Sequence, residues 1–261
     1  MAYLFKMPLN RELLSFKIML LKSSLHIHIN DDPLDGHWID YNFYDLVDRA
    51  KDFGFKVLGL TCHNKIAWRK EYEDYAKKNG LMLLSGIEKD IRSGIFKKNH
   101  VLIFNAKKDI KNVVNFEDLK RYKKKNPGIF IVAPHPGFDR KNSISLKNLE
   151  KYIDLFDAIE HSWFFSKNIN LNKRVERIAR RYQKPMIATS DLHEVRKIKD
   201  DYVVVESDHL SQKSFFQAIK NHKIKNKIKP KKNFDLLFSI LRMELKYYFF
   251  YYRKYGLFKN R

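Results

Sequence analysis

Leu25-His26-Ile27-His28 begins a series of short apolar runs in this chain, most of which end on a side chain able to bind a metal ion. Two histidines two positions apart on a strand point to one face, and at the strand's end both can reach one ion. The pattern recurs outward along the chain. Val57-Leu58-Gly59-Leu60-Thr61-Cys62-His63 ends on a histidine and Leu81 to Glu88 (LMLLSGIE) on a glutamate. Ile129 to Pro136 (IFIVAPHP) places His135 between two prolines, and Ile187 to His193 (IATSDLH) ends on an Asp-x-His pair. His100 is the exception, because it opens the run His100-Val101-Leu102-Ile103-Phe104. Buried strands with ligand-type side chains at their ends are how a β/α barrel displays an active site, and here they point to a polynuclear metal centre.

The segments between these runs are helical in pattern. Tyr44 to Phe53 carries Leu46, Val47, Ala50 and Phe53 at helical spacing and is closed by Gly54. Ala67 to Asn79, Val114 to Lys125, Leu146 to Ile153, Leu171 to Tyr182 and Ser211 to Asn221 follow the same logic. The predicted strands between them number about seven, with Val203 to Glu206 as one further candidate, short of the eight of a standard barrel. The expected fold is α/β, a β/α barrel over residues 24–221 behind an N-terminal extension, 1–23. A basic, aromatic C-terminal segment over 222–261 is expected as an addition, helical from Phe234 to Phe258.

A 261-residue chain with 44% hydrophobic residues has ample material for a core. Its one cysteine, Cys62, excludes an internal disulfide and any CxxC zinc site and suits a reducing cytoplasm, the expected location. No run of about 18 apolar residues is present, so no spanning helix is expected, and the N-terminus lacks the layout of a signal peptide. The formal net charge is +22, and residues 211–261 contribute fourteen Lys or Arg against Asp235 and Glu244. A surface this basic attracts phosphates in general, so the tail is a candidate contact for nucleic acid or for a membrane surface.

Taken in order, His26-Ile27-His28, Thr61-Cys62-His63-Asn64, Gly86-Ile87-Glu88, His100-Val101-Leu102, Ala133-Pro134-His135-Pro136 and Ser190-Asp191-Leu192-His193 resemble the motifs of the PHP (polymerase and histidinol phosphatase) family of metal-dependent phosphoesterases. The resemblance covers residues 24 to about 195 and implies a distorted seven-stranded, TIM-like barrel. It also implies two or three divalent transition metal ions, manganese, iron or zinc. His26, His28, Glu88 and Asp191 would hold one ion, and Glu88 would bridge to a second held by His100 and His135. His63, His193 and either Asp32 or Asp35 would hold a third. Two positions depart from the family pattern: Cys62 stands where Asp is usual, and the turn after His28 differs from the commoner Ser-Asp-Gly form.

The implied reaction is hydrolysis of a phosphate ester by a metal-bound hydroxide, with Glu88 as the bridge and His63 or His193, where not engaged with a third ion, as the group that protonates the leaving oxygen. Arg140, Lys65, Arg92 and Lys167 follow predicted strand ends and are candidate phosphate ligands, Arg140 and Lys65 foremost. Trp163, with Phe164 and Phe165, could stack on a base or sugar. Only 35 positions separate His100 from His135, too few for the inserted helical domain of nucleotide- and RNA-processing members of the family this chain resembles, so a small phosphorylated substrate, a nucleotide or a short oligonucleotide end is expected. The competing reading is a non-catalytic barrel that binds RNA or a membrane through its basic tail. A purely structural zinc site needs four ligands, and this chain offers many more.

Overall fold

The computed structural model describes residues 18–94, 97–138 and 142–255. In chain order the strands are β1 (Met19–Ile27), β2 (Val57–Leu60), β3 (Met82–Arg92), β4 (Lys98–Phe104), β5 (Phe130–Ala133), β6 (Ala158–His161), β7 (Met186–Ala188), β8 (Tyr202–Ser207) and β9 (Ile224–Lys227). The helices are α1 (Phe43–Asp52), α2 (Lys70–Lys78), α3 (Phe116–Lys125), α4 (Leu146–Lys151), α5 (Asn172–Arg181), α6 (Gln212–Lys220) and α7 (Asn233–Tyr255). Two helix starts carry full capping boxes, Asn42 with Asp45 and Asn115 with Asp118, each satisfying two otherwise orphaned N–H groups.

All nine strands join one curved, nearly closed sheet in the order β7-β6-β5-β4-β3-β2-β1-β8-β9. The expected seven is therefore corrected to nine among the described residues. The two additions are β8, which covers the further candidate Val203 to Glu206, and β9, whose sequence Ile-Lys-Asn-Lys shows no apolar pattern and which is held by backbone pairing to β8. β1 also begins at Met19, so the sheet draws on residues on both sides of the 24–221 span. β4 runs antiparallel to both β3 and β5, and β8 antiparallel to β1.

The two ends of the sheet meet. Leu192, just after β7, exchanges backbone hydrogen bonds with β1: Leu192 N–H donates to the His26 carbonyl at 2.9 Å and His28 N–H to the Leu192 carbonyl at 3.1 Å. Lower down, the Asn226 side chain on β9 stands in for a strand. Its Oδ1 accepts from Ala188 N–H at 2.8 Å and its Nδ2 donates to the Met186 carbonyl at 2.7 Å. Unpaired edge groups of β7 are thereby satisfied.

One apolar cluster joins Leu21, Leu25, Val57, Leu84, Phe104, Phe130 and Val203 with Phe215 and Phe216 of α6. Phe216 stacks on Phe130 with ring centroids 4.3 Å apart. A Cβ on Gly59 or Gly86 would lie 2.8–2.9 Å from Phe104, so glycine at those positions lets this ring fit. Two further clusters pack helices against the outer face of the sheet. Polar side chains gather at the other end, where β1, β2, β5, β6 and β7 finish and β4 begins. No helix among the described residues is long and apolar enough to cross a membrane.

Candidate metal centre

β4 explains why His100 opens its run. In an antiparallel neighbour the start of a strand lies beside the end of its partner, and His100 pairs directly with Asp90 near the end of β3. His100 thus reaches the same end of the barrel as the histidines that close parallel strands.

The centre is organised by Glu88, which is buried within β3. Its Oε2 lies 3.2 Å from His26 Nε2, 3.2 Å from His28 Nε2 and 3.1 Å from His63 Nε2. Its Oε1 lies 2.6 Å from His100 Nδ1 and 3.2 Å from His135 Nε2. One carboxylate therefore faces two sets of histidines, three on one oxygen and two on the other. Asp191 Oδ1 adds a second carboxylate 3.3 Å from His26 Nε2 and 3.4 Å from His28 Nε2.

The outer nitrogens of these rings are spoken for. His26 Nδ1 lies 3.0 Å from Glu160 Oε2 and His28 Nδ1 2.7 Å from Asp32 Oδ2. A neutral histidine that donates from Nδ1 has only a lone pair at Nε2. Lone pairs of His26 and His28 then face carboxylate oxygens, acceptor against acceptor, and both Nε2 atoms are buried without a hydrogen-bond partner. Either protons or a cation must lie between them. Among the described residues, four sets of three ligand atoms are close enough to hold an ion: His26-His28-Asp191, His26-Glu88-His135, His28-Asp32-His63 and His63-Glu88-His100. The residues present fit the metal that the sequence led us to expect.

Without an ion, the site holds protons instead. Burial pushes His26 toward its neutral form, but Asp191, Glu88 and Glu160 outweigh it and hold the pKa up at about 10. Burial is likewise overcome at His100, held up at about 9 by Glu88 and Asp90, and at His28, which is raised by Asp191, Asp32 and Glu88. Glu88 and Asp191 stay well below the usual carboxylate range, because the surrounding histidines outweigh the opposing effect of burial. A histidine pKa raised by folding gives stability that is full below about pH 6.5 and is lost as the pH climbs through the folded values of about 9 and 10. The lowered carboxylates act oppositely, giving stability present above their unfolded values near pH 4 and lost as the pH falls. The ion-free protein is therefore expected to melt highest between about pH 4.5 and 6.5 and progressively lower toward pH 10. Added Mn²⁺ should remove most of that decline. A melting temperature that holds level or rises from pH 6.5 to 10 without metal would contradict this arrangement.

Asp32 and Asp35 have different environments. Asp32 accepts backbone hydrogen bonds from Leu34, Asp35 and His63 at 2.8–3.0 Å and contacts the Nδ1 atoms of both His28 and His63. Its oxygens are occupied in orienting two rings. Asp35 Oδ2 meets His193 Nε2 at 2.9 Å and stands 3.9 Å from His63 Nδ1, while its Oδ1 is buried without a partner. His63, Asp35 and His193 are not among the compact three-ligand groups, so this corner is looser than the rest.

Local backbone serves the site. His135 has φ +32°, Asp191 φ +47° and Asn64 φ +51°, all in the left-handed region that costs a side-chain-bearing residue about 1 kcal/mol or more. Ser143 Oγ donates to the His135 carbonyl at 2.6 Å, and Asn64 Oδ1 accepts from Asp90 N–H at 3.0 Å. The Tyr41 hydroxyl lies 2.5 Å from the His28 carbonyl and 3.0 Å from the Leu192 carbonyl, fastening the turn after β1 to the segment after β7. Cys62 lies within an apolar cluster with Ile27, Ile29 and Tyr41, and burial pushes its thiol up to about 12. It faces the core, which argues against a thiolate ligand.

Other expected contacts are placed differently. Arg140 lies outside the described residues. Lys65 Nζ is held by Asp31, 2.9 Å from its Oδ1 and 3.0 Å from its carbonyl. Arg92 ends β3 and Lys167 is exposed beyond β6; neither reaches the cluster through any ion pair. The Trp163 ring has the Phe164 ring at 3.7 Å and the Lys231 amine at 4.7 Å, so the indole already has an aromatic and a cationic neighbour. Glu160 and Asp90 belong to the site and escaped the sequence reading. Asp90 lies two positions beyond Glu88 on the same face of β3, the spacing that exposed the His26–His28 pair.

Residues 24–190 match the PHP domain, about two thirds of the chain. The chain belongs to the PHP family. Residues 170–224 match a PHP-associated segment, which holds Asp191 and His193. Among solved structures, a two-domain protein from Bacteroides vulgatus containing a predicted PHP-like metal-dependent phosphoesterase is similar at 17% identity and TM-score 0.59, over 81% of this chain and 65% of that one, less than two thirds of its length. PsfC from Pseudomonas syringae is 14% identical over 87% of this chain and 99% of its own, with TM-score 0.54. A lesion-specific endonuclease from Pyrococcus furiosus is 14% identical over 80% of this chain and 58% of its own, with TM-score 0.53. At these identities the likeness is one of fold. No curated protein matches by sequence. Within the PHP fold, the six motifs named from sequence converge on one barrel end.

Proposed function

We propose that this PHP protein is a metal-dependent hydrolase of phosphate esters. The observation that carries the reading is Glu88, whose two carboxylate oxygens face two separate sets of histidines. On this reading His26, His28, Glu88 and Asp191 would hold one ion, and Glu88, His100 and His135 a second. Asp35, with its unpartnered oxygen, suits a third position with His63 and His193 better than the fully engaged Asp32 does. When bound, such ions lower the pKa of water and stabilise charge on phosphoryl oxygens.

The chain's own residues supply the rest. Glu160 and Asp32 fix which nitrogen of His26, His28 and His63 faces inward. The β3–β4 pairing holds His100 between Glu88 and Asp90. Side chains of His135, Asp191 and His193 are 17–26% exposed, against 5% or less for the other histidines of the cluster, and mark the open side through which a substrate enters. His193 presents one ring nitrogen to Asp35 and the other to the Asp191 carbonyl at 2.9 Å, so both nitrogens have acceptors. Where no third ion engages it, His193 would be the group that passes a proton to a leaving oxygen. The cluster offers more ligands than the four a single structural ion needs, which favours chemistry over a purely binding role.

The test is metal content and turnover on the same preparation. Purified protein is expected to carry at least one transition metal ion per chain and to hydrolyse p-nitrophenyl phosphate or a nucleotide phosphate with Mn²⁺. Exhaustive chelation should remove the activity and Mn²⁺ restore it. Fewer than one ion per chain after metal addition, with no turnover across a phosphoester panel, would sink the proposal.

A further inference from the structure

The mechanism leaves α7 unused, and its exposed side has a consistent chemistry. Phe234, Leu237, Phe238, Leu241 and Leu245 are each 47–76% exposed. At 3.6 residues per turn their positions fall within an arc of about 100°, a continuous apolar stripe along three turns. Leu236 and Ile240 lie away from this stripe and are buried and half-buried respectively, while the stripe itself faces solvent. The helix is tied to the rim of the site. Lys231 N–H donates to the Phe165 carbonyl at 2.9 Å, and Arg242 lies 3.8 Å from Glu194, the residue after His193.

We propose that α7 is a membrane-surface helix that seats this stripe at the boundary between headgroups and acyl chains of a bilayer containing anionic lipids. Charge decides the occupant. Residues 222–261 contain twelve Lys or Arg against Asp235 and Glu244, in a chain of net charge +22. A second copy of so basic a chain is repelled, whereas an anionic lipid surface is attracted. A nucleic acid would need cations at the centre of the contact, and the centre of the stripe is aromatic and aliphatic. Lys231 and Lys232 precede the helix and Arg242 flanks the stripe, the layout of an amphipathic helix lying in an interface. At 23 residues, with charged groups along its length, α7 lies on a membrane and does not span it.

The test is flotation of the full chain with phosphatidylcholine vesicles, with and without phosphatidylglycerol. The protein is expected to float with the anionic vesicles and to stay behind with the neutral ones. The triple substitution Leu237→Glu, Phe238→Glu, Leu241→Glu should cut the bound fraction roughly tenfold, with circular dichroism and melting temperature unchanged. The single Leu241→Glu should give a partial loss, which guards against a triple variant that folds poorly. Wild-type protein left behind by anionic vesicles overturns the proposal, and so does a triple variant that floats as well as wild type. A stripe-dependent dimer in light scattering, or a stripe-dependent RNA shift, without vesicle binding overturns it in favour of those partners.

Discussion

Glu88→Gln is expected to empty the centre of metal and to lower Mn²⁺-dependent hydrolysis by more than the roughly 100-fold that losing an outer-shell partner costs. The substitution keeps the shape of the side chain and removes one negative charge and one acceptor oxygen. Five histidines currently approach that carboxylate, at 2.6–3.2 Å. An amide cannot bridge two ions with two anionic oxygens, and its NH₂ would point a donor at one set of imidazoles. The ion-free protein offers an independent readout. Glu88 is among the groups that hold up His26 and His100 against burial, so in the variant both should titrate lower and the fall in melting temperature toward pH 10 should shrink. Wild-type metal stoichiometry together with wild-type turnover in Glu88→Gln would remove Glu88 from its central role.

Much of this centre was legible in the sequence because strand chemistry is local. An apolar run followed by a ligand-type residue marks a strand end, and five motifs of that kind, with His100 opening a sixth run, named the residues that the fold brings together. The hidden parts depended on pairing. The run Leu81 to Glu88 signals a strand but not its length, because β3 continues past Glu88 to Arg92 where it pairs with β4. β9 was invisible because Lys225 and Lys227 give no apolar alternation, and its place is fixed by β8 and by Asn226. The choice between Asp32 and Asp35 could not come from spacing either. It rests on which carboxylate is already saturated by backbone N–H groups, and a turn's hydrogen bonds appear only in three dimensions. Trp163 illustrates the converse: an aromatic beside a strand end reads as a stacking platform until Lys231, 68 positions away, is found over its ring.

Glu160→Ala is expected to weaken metal binding by about 10- to 100-fold, or about 1.4–2.7 kcal/mol, without touching any group that faces the ions. Glu160 is fully buried on β6, and its Oε2 lies 3.0 Å from His26 Nδ1. That contact places the ring's proton on Nδ1, so that the Nε2 lone pair faces Glu88 and Asp191. In Glu160→Ala, Nδ1 loses its acceptor in a site from which water is excluded. The ring then gains by turning Nε2 into the donor toward Glu88, which is the tautomer that cannot bind an ion. The conservative Glu160→Gln keeps a carbonyl oxygen for Nδ1 and should recover a large part of the lost affinity, which a purely structural role for the side chain would not predict. Chelator competition with Mn²⁺ or Zn²⁺ reads the affinities directly, and melting in the ion-free state separates a folding defect from a binding one. Equal metal affinities in wild type, Glu160→Gln and Glu160→Ala would show that His26 does not need Glu160 to present Nε2.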